Sequence, residues 1–146
     1  FISLPPSEID GDVFAMLAGT LERALEKHPD YADLHFHCSR IYARMGSTDE
    51  AIDRAAAATK LNPRYVQALI QLGKLYMQTE RGQDAIDRLN EAITFGGDYP
   101  DVNFMLGELY RGQGNKYEAV SRYRRALELN SQYGRAKEAL DAVLAA

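Results

Sequence analysis

The sequence predicts an all-α fold, a solenoid of stacked antiparallel helix pairs, and three observations carry that expectation. First, sliding the 146-residue chain against itself reveals a 34-residue period. Tyr31, Tyr65, Tyr99 and Tyr133 share it, and so do Tyr42, Tyr76 and Tyr110. Ala51, Ala85 and Ala119 keep the same register, as do Ala24, Ala58, Ala92 and Ala126, Leu72 with Leu106 and Leu140, Gly73 with Gly107, and Pro29 with Pro63. Second, each period holds two stretches of helical apolar spacing separated by a break. Third, the chain carries 20 alanines, and alanine is the best helix former. One helix pair leaves an apolar face open, so such units must stack and their ends must be covered.

Residues 1–11, with Pro5-Pro6, read as an extended arm or linker. Residues 12–31 read as a half-repeat helix carrying Phe14, Leu17, Leu21 and Ala24. The first full unit, 32–65, opens with Leu34, Cys38, Ile41 and Tyr42 at helical spacing. Met45-Gly46-Ser47-Thr48 then breaks the pattern, with Gly46 suited to a left-handed helix end. Ser47 or Thr48 is expected to cap the second helix, and Asp49 and Glu50 suit its first turn. That helix carries Ala51, Ile52, Ala55, Ala58 and Leu61 and stops at Asn62-Pro63. The second unit, 66–99, repeats this with its break at Arg81-Gly82 and its stop at Gly96-Gly97. The third, 100–133, starts on Pro100, which fits a first helical turn, and breaks at Gln113-Gly114-Asn115. Residues 134–146 place Ala136, Ala139, Leu140, Val143 and Leu144 on one stripe and Arg135, Lys137, Glu138 and Asp141 on the other, as a capping helix should.

These lattices resemble the tetratricopeptide repeat, whose pattern runs W-x2-L-G-x2-Y, then A-x3-F, an alanine and a proline. The second unit supplies Leu69, Leu72, Gly73, Tyr76, Ala85, Leu89 and Ala92. The third supplies Asn103, Leu106, Gly107, Tyr110, Ala119, Tyr123 and Ala126. The first is the loosest, with His35, Cys38, Ser39, Tyr42, Ala51, Ala55, Ala58 and Pro63. No unit has Trp in the Trp slot. The resemblance covers roughly residues 12–144. It implies a right-handed α-solenoid of three full repeats, an N-terminal half-repeat helix and a C-terminal capping helix.

Charge narrows the function classes. Seventeen basic against 21 acidic residues give −4, which argues against a nucleic-acid binder. The charge is uneven: residues 1–34 hold seven acidic and two basic side chains, and residues 111–137 hold seven basic and two acidic. No apolar run approaches the ~20 residues of a membrane span, so no membrane partner is expected. The lone Cys38 cannot form an intramolecular disulfide, and a cytoplasmic location is the expectation. Phe1 in place of Met, and a C-terminus on a helical pattern, suggest a piece of a larger protein.

No nucleophile–base pair or phosphate loop stands out, so an enzyme is not expected. His35-Phe36-His37-Cys38 is the one candidate metal cluster, but His35 and Cys38 occupy packing slots of the repeat; no metal or cofactor is expected. Binding is the better case. The resemblance implies that the first helix of each repeat lines a concave groove that receives a protein or peptide ligand. Carried over, the groove is lined by Asp33, Phe36, His37, Arg40, Gln67, Ile70, Gln71, Lys74 and Met77, with Asp101, Phe104, Met105, Glu108 and Arg111 from the third repeat. Phe36, Ile70 and Phe104 stand 34 apart and are expected to form an apolar contact stripe, so Phe36→Asp with Phe104→Asp should abolish capture without loss of helicity. Co-chaperones of the family bind acidic tails of heat-shock proteins with a Lys, Asn and Arg clamp. Its positions correspond here to Phe36, Arg40, Gln71, Asp101 and Met105, so that clamp is not supported. The alternative reading is head-to-tail self-assembly through the acidic N-terminal and basic C-terminal ends. A third is docking of the Phe1–Gly11 arm in a groove.

Overall fold

The computed structural model describes the backbone of residues 6–146 and side chains from residue 10 onward. The described chain is all helix and turn: α1 (Pro6–Lys27), α2 (Ala32–Arg44), α3 (Thr48–Leu61), α4 (Val66–Gln78), α5 (Gly82–Thr94), α6 (Pro100–Gly112), α7 (Lys116–Leu129) and α8 (Gly134–Ala145). The pairs α2–α3, α4–α5 and α6–α7 are the three repeats, with α1 packed on α2 and α8 on α7. Successive repeats join through α3–α4 and α5–α6, while α2 and α4 touch side by side. The result is an all-α solenoid.

The alanine lattice is the spine of this stack. Ala51, Ala58, Ala85, Ala92, Ala119 and Ala126 have no exposed surface. Small side chains there let helix axes approach, and larger ones fill the space left over. Gly73 and Gly107 mark the closest approaches within a repeat. A Cβ on Gly73 would lie 2.7 Å from a Leu89 methyl, and one on Gly107 would lie 2.5 Å from the Tyr123 ring. The same slot in the first repeat is Ser39, whose hydroxyl is fully buried and donates to the Ala51 carbonyl at 2.7 Å.

Three local expectations are corrected. The extended arm expected over residues 1–11 is helical from Pro6, and residues 1–5 lie outside the described residues. Proline at the first helical position needs no amide partner. The second-repeat break turns on Glu80 rather than Gly82. Glu80 has φ 58°, in register with Gly46 (φ 77°) and Gly114 (φ 76°), whereas Gly82 opens α5. All three turns close alike: the amides of Ser47, Arg81 and Asn115 each donate to the carbonyl of Tyr42, Tyr76 or Tyr110 at 2.9 Å. Finally, neither Ser47 nor Thr48 caps α3. Ser47 holds the N-cap position at φ −85°, ψ 72° without a side-chain hydrogen bond, and Thr48 is already helical. Asn115 does cap, accepting from the Glu118 amide at 3.2 Å.

α8 packs on α7. Ala136, Ala139 and Val143 are buried, while Leu144 falls off the apolar stripe and is exposed.

Candidate functional site

A groove of about 520 Å³ crosses α2, α4 and the start of α6. Its walls bring together many of the expected residues: Phe36, His37 and Arg40 from α2, Gln67, Ile70, Gln71 and Lys74 from α4, and Asp101 from α6. His37, Arg40, Gln67, Lys74 and Asp101 are exposed; Ile70 and Gln71 are half-buried. The helical spacing of 3 and 4 residues puts each set on one helix face. Asp33 and Arg111 are exposed but do not line this groove, and Met77 and Met105 are half-buried. Met105 packs against the cluster of Ile86, Leu89, Val102 and Leu106.

The apolar stripe is not the contact surface it promised to be. Phe36 and Phe104 are each only 7% exposed. Phe36 packs against Tyr65 with ring centroids 5.2 Å apart, and Arg40 lies over its face at 5.7 Å. Phe104 meets Tyr133 edge-on at 5.4 Å and Tyr123 at 5.9 Å, and Arg135 covers it at 4.7 Å. Each aromatic ring thus meets the tyrosine 29 residues further on and joins the core. The double Asp substitution would place two carboxylates in these cores and unfold the chain rather than spare its helicity.

Ile70 breaks this pattern and exposes a residue the sequence argument counted as architecture. Its partner by the same spacing is Tyr99, and the smaller aliphatic leaves that ring 47% exposed on the groove wall. The signal was present in the sequence: one lattice has Phe, Ile, Phe while the tyrosine lattice is unbroken. Glu108, expected to reverse the charge of the groove, is instead engaged by the Tyr123 hydroxyl, which donates to its carboxylate. Burial, then that carboxylate, pushes the Tyr123 hydroxyl up to about 12. The open charge of the groove is therefore Arg40 and Lys74 against Asp101.

Polar contacts between repeats hold these helices in place. Glu22 of α1 accepts from Arg54 Nη2 at 2.5 Å, Tyr42 at 3.0 Å and Cys38 at 3.3 Å. Burial alone would raise the Glu22 carboxyl, but the bonds from Cys38, Arg54 and Tyr42 bring it below the ordinary range. Sixty-eight residues on, the slots of Glu22, Arg54, Tyr42 and His35 hold Asn90, Arg122, Tyr110 and Asn103, while Leu106 takes the slot of Cys38. There Arg122 donates to Asn90 and Asn103, each at 3.3 Å, and Asn103 donates to Asp98 at 2.7 Å.

The candidate metal cluster separates on folding. His35 is buried with Nε2 2.8 Å from the Pro29 carbonyl, Cys38 is fully buried, and His37 faces the groove. Burial, then the Glu22 carboxylate, raises the Cys38 thiol to about 12, so it packs as a neutral group. Among the described residues no group of three His, Cys, Asp or Glu side chains is placed to hold a metal ion. No helix among them is long and apolar enough to cross a membrane.

Family models described as tetratricopeptide repeat match residues 39–102 and residues 100–133. The chain belongs to the tetratricopeptide repeat family. Solved structures share the fold. MamA is 19% identical, with 99% of this chain and 85% of that one covered at a TM-score of 0.88. YrrB, a tetratricopeptide protein described as having an unusual peptide-binding site, is 22% identical, with 88% and 66% covered at 0.80. The first repeat domain of Spaghetti (RPAP3), bound to the HSP90 peptide SRMEEVD, is 22% identical, with 79% and 94% covered at 0.74. No curated protein matches the chain in sequence.

Proposed function

We propose that the chain is a non-catalytic protein-interaction module that captures a peptide segment of a partner in the groove between α2, α4 and α6. One observation carries this reading: the groove exposes Tyr99 beside two open cations, Arg40 and Lys74, on a rigid helical wall. An uncovered aromatic flanked by charge suits recognition, because the ring supplies contact area and the cations select the ligand. The ligand class that fits is an extended peptide with an apolar side chain for Tyr99 and Ile70 and a carboxylate for Arg40 and Lys74. Asp101 at the α6 side disfavours a second carboxylate there and sets direction. The peptide-binding site described for the structural neighbour YrrB and the HSP90 peptide bound to RPAP3 lend support by analogy of fold.

The test is selection from a displayed random-peptide library. The wild-type chain should enrich acidic peptides, and Arg40→Glu with Lys74→Glu should weaken them by about tenfold or more, since two attractions become repulsions. Both side chains are exposed, so circular dichroism should not change. Failure to enrich any peptide, or equal binding by the double variant, refutes the reading.

A further inference from the structure

Along the groove the same two-residue site recurs three times, with one residue in a first helix and its partner 29 positions on, at the N-cap of the next first helix. In the outer repeats both residues are rings. Phe36 packs on Tyr65 with centroids 5.2 Å apart at 52°, and Phe104 meets Tyr133 at 5.4 Å and 84°. Both tyrosines are half-buried there. In the central repeat the pair is Ile70 and Tyr99, and only one ring is present. Ile70 packs on the cluster of Ile86, Leu89, Val102 and Leu106, and both it and Tyr99 line the groove. Pro100 adds to the difference. It holds Tyr99 at ψ 156°, where Tyr65 and Tyr133 have ψ 89° and 87°, and so re-aims the ring relative to α6. Complete repeats lie on both sides, α4–α5 before Tyr99 and α6–α7 after it. The opening beside Tyr99 therefore comes from residues 70 and 100, not from a helix that is lacking.

We propose, resting on the peptide-groove reading above, that the partner's peptide supplies the missing ring, an aromatic side chain that packs on Tyr99 as Phe36 packs on Tyr65 and Phe104 on Tyr133. Tilted and edge-on ring pairs at these separations gain more than their buried area alone provides. The surrounding charges refine the choice. Arg40 lies over the Phe36 ring at 5.7 Å, and Lys74 holds the same place relative to residue 70, so a bound ring is offered a cation at its face. Arg135 covers Phe104 at 4.7 Å, and the residue in register with it is Asp101. A carboxylate there accepts from a phenol hydroxyl or an indole N–H at the rim of the ring and offers phenylalanine nothing. The anchor that fits is tyrosine or tryptophan, carried by an acidic peptide.

The outer repeats have no such opening, because Phe36 and Phe104 already fill it from within. The solenoid thus selects one anchor, midway along the groove, and not a periodic series. Gln67 and Gln71 line the same wall, where their amides can meet the backbone of an extended peptide on either side of the anchor.

Two displayed peptide libraries test the anchor, both rich in acidic residues, one free to carry aromatic residues and the other without them. The wild-type chain should enrich the first far more strongly, with Tyr or Trp at one constant distance from an acidic residue. Replacing that ring by leucine in a synthetic copy of the enriched peptide should weaken binding by about tenfold or more in fluorescence anisotropy. Ile70→Phe fills the opening from within, so the ring peptide and its leucine form should then bind alike while circular dichroism stays unchanged. Tyr99→Ala, at a half-exposed position, should erase the same preference. Equal enrichment of both libraries, or a ring preference that survives Tyr99→Ala or a folded Ile70→Phe chain, overturns the inference and leaves the acidic-peptide reading standing. Enrichment of neither library overturns both. Phenylalanine enriched as strongly as tyrosine would remove Asp101 from the anchor site.

Discussion

The central repeat differs from its two neighbours at several lattice positions, and some of the differences are linked. Where the first and third repeats place His35 and Asn103, it has Leu69; where they have Phe36 and Phe104, it has Ile70. Its turn carries Glu80 in place of Gly46 and Gly114. At the junction before it, Ala56 of α3 stands in the slot where Glu22 and Asn90 bridge the outer junctions. The outer repeats are therefore tied to the preceding helix by half-buried hydrogen bonds and have covered aromatics. The central repeat is joined by apolar packing of Ala51, Ala55, Leu72 and Leu75, and Arg88 pairs within its own helix to Glu91 at 2.8 Å. One lattice thus tolerates two chemistries at the same geometry. The small residues fix the approach of the helices, and the polar slots only need to be filled consistently. The exposed Tyr99 is a by-product of the central variation, and it places the groove mid-solenoid.

Three changes probe this contrast. The largest effect is expected from Leu69→Asn, which puts an outer-repeat residue into the apolar junction without a partner. Loss of a buried leucine and an unsatisfied amide should cost about 3–4 kcal/mol in urea unfolding. Adding Ala56→Asn should recover about 1 kcal/mol, because Arg88 stands where Arg122 bridges the two asparagines. If the second substitution gives no recovery, the junctions are not interchangeable.

A smaller effect follows from Glu22→Gln, which weakens the charged bridge to Arg54, Tyr42 and Cys38. About 1–2 kcal/mol should be lost at neutral pH, discounted because the pair is about 30% exposed. The Glu22 carboxyl titrates lower in the folded chain than unfolded, so its contribution is complete above the ordinary carboxylate pKa. It disappears as pH falls through the folded value. Between about pH 5 and 3 the wild-type chain should therefore lose more stability than Glu22→Gln. Parallel pH profiles would mean that the bridge carries no linked stability. Asp98, held low by Arg125 and then Asn103, titrates in both chains and leaves a shared residual slope.

The smallest effect is a gain. Glu80 occupies a left-handed conformation that glycine adopts without strain, so Glu80→Gly should stabilise the chain by about 1 kcal/mol. The same exchange in reverse, Gly114→Glu, should destabilise by a similar amount. A thermal midpoint that does not rise in Glu80→Gly would show that local contacts of Glu80 offset its strain.

The sequence alone determined the period, the helix pairs and the spine of the fold. Tyr, Ala, Leu and Gly recur in one register because stacked identical units need identical spacing, and a spacing rule is visible in one dimension. Gly73 and Gly107 could be read as close approaches for the same reason. The candidate groove was legible as a set of helix faces: His37, Arg40, Gln67, Gln71 and Lys74 do line one wall. What tertiary structure decided was which of those faces remain open. Phe36 and Phe104 are closed by Tyr65 and Tyr133 at the ends of their own repeats, Glu108 by Tyr123 from its partner helix, and Tyr99 is left uncovered by the short side chain of Ile70. Helical periodicity tells which side of a helix a residue is on. Burial depends on the size of a side chain that arrives 15 or 29 residues later, and only the packed solenoid sets the two against each other.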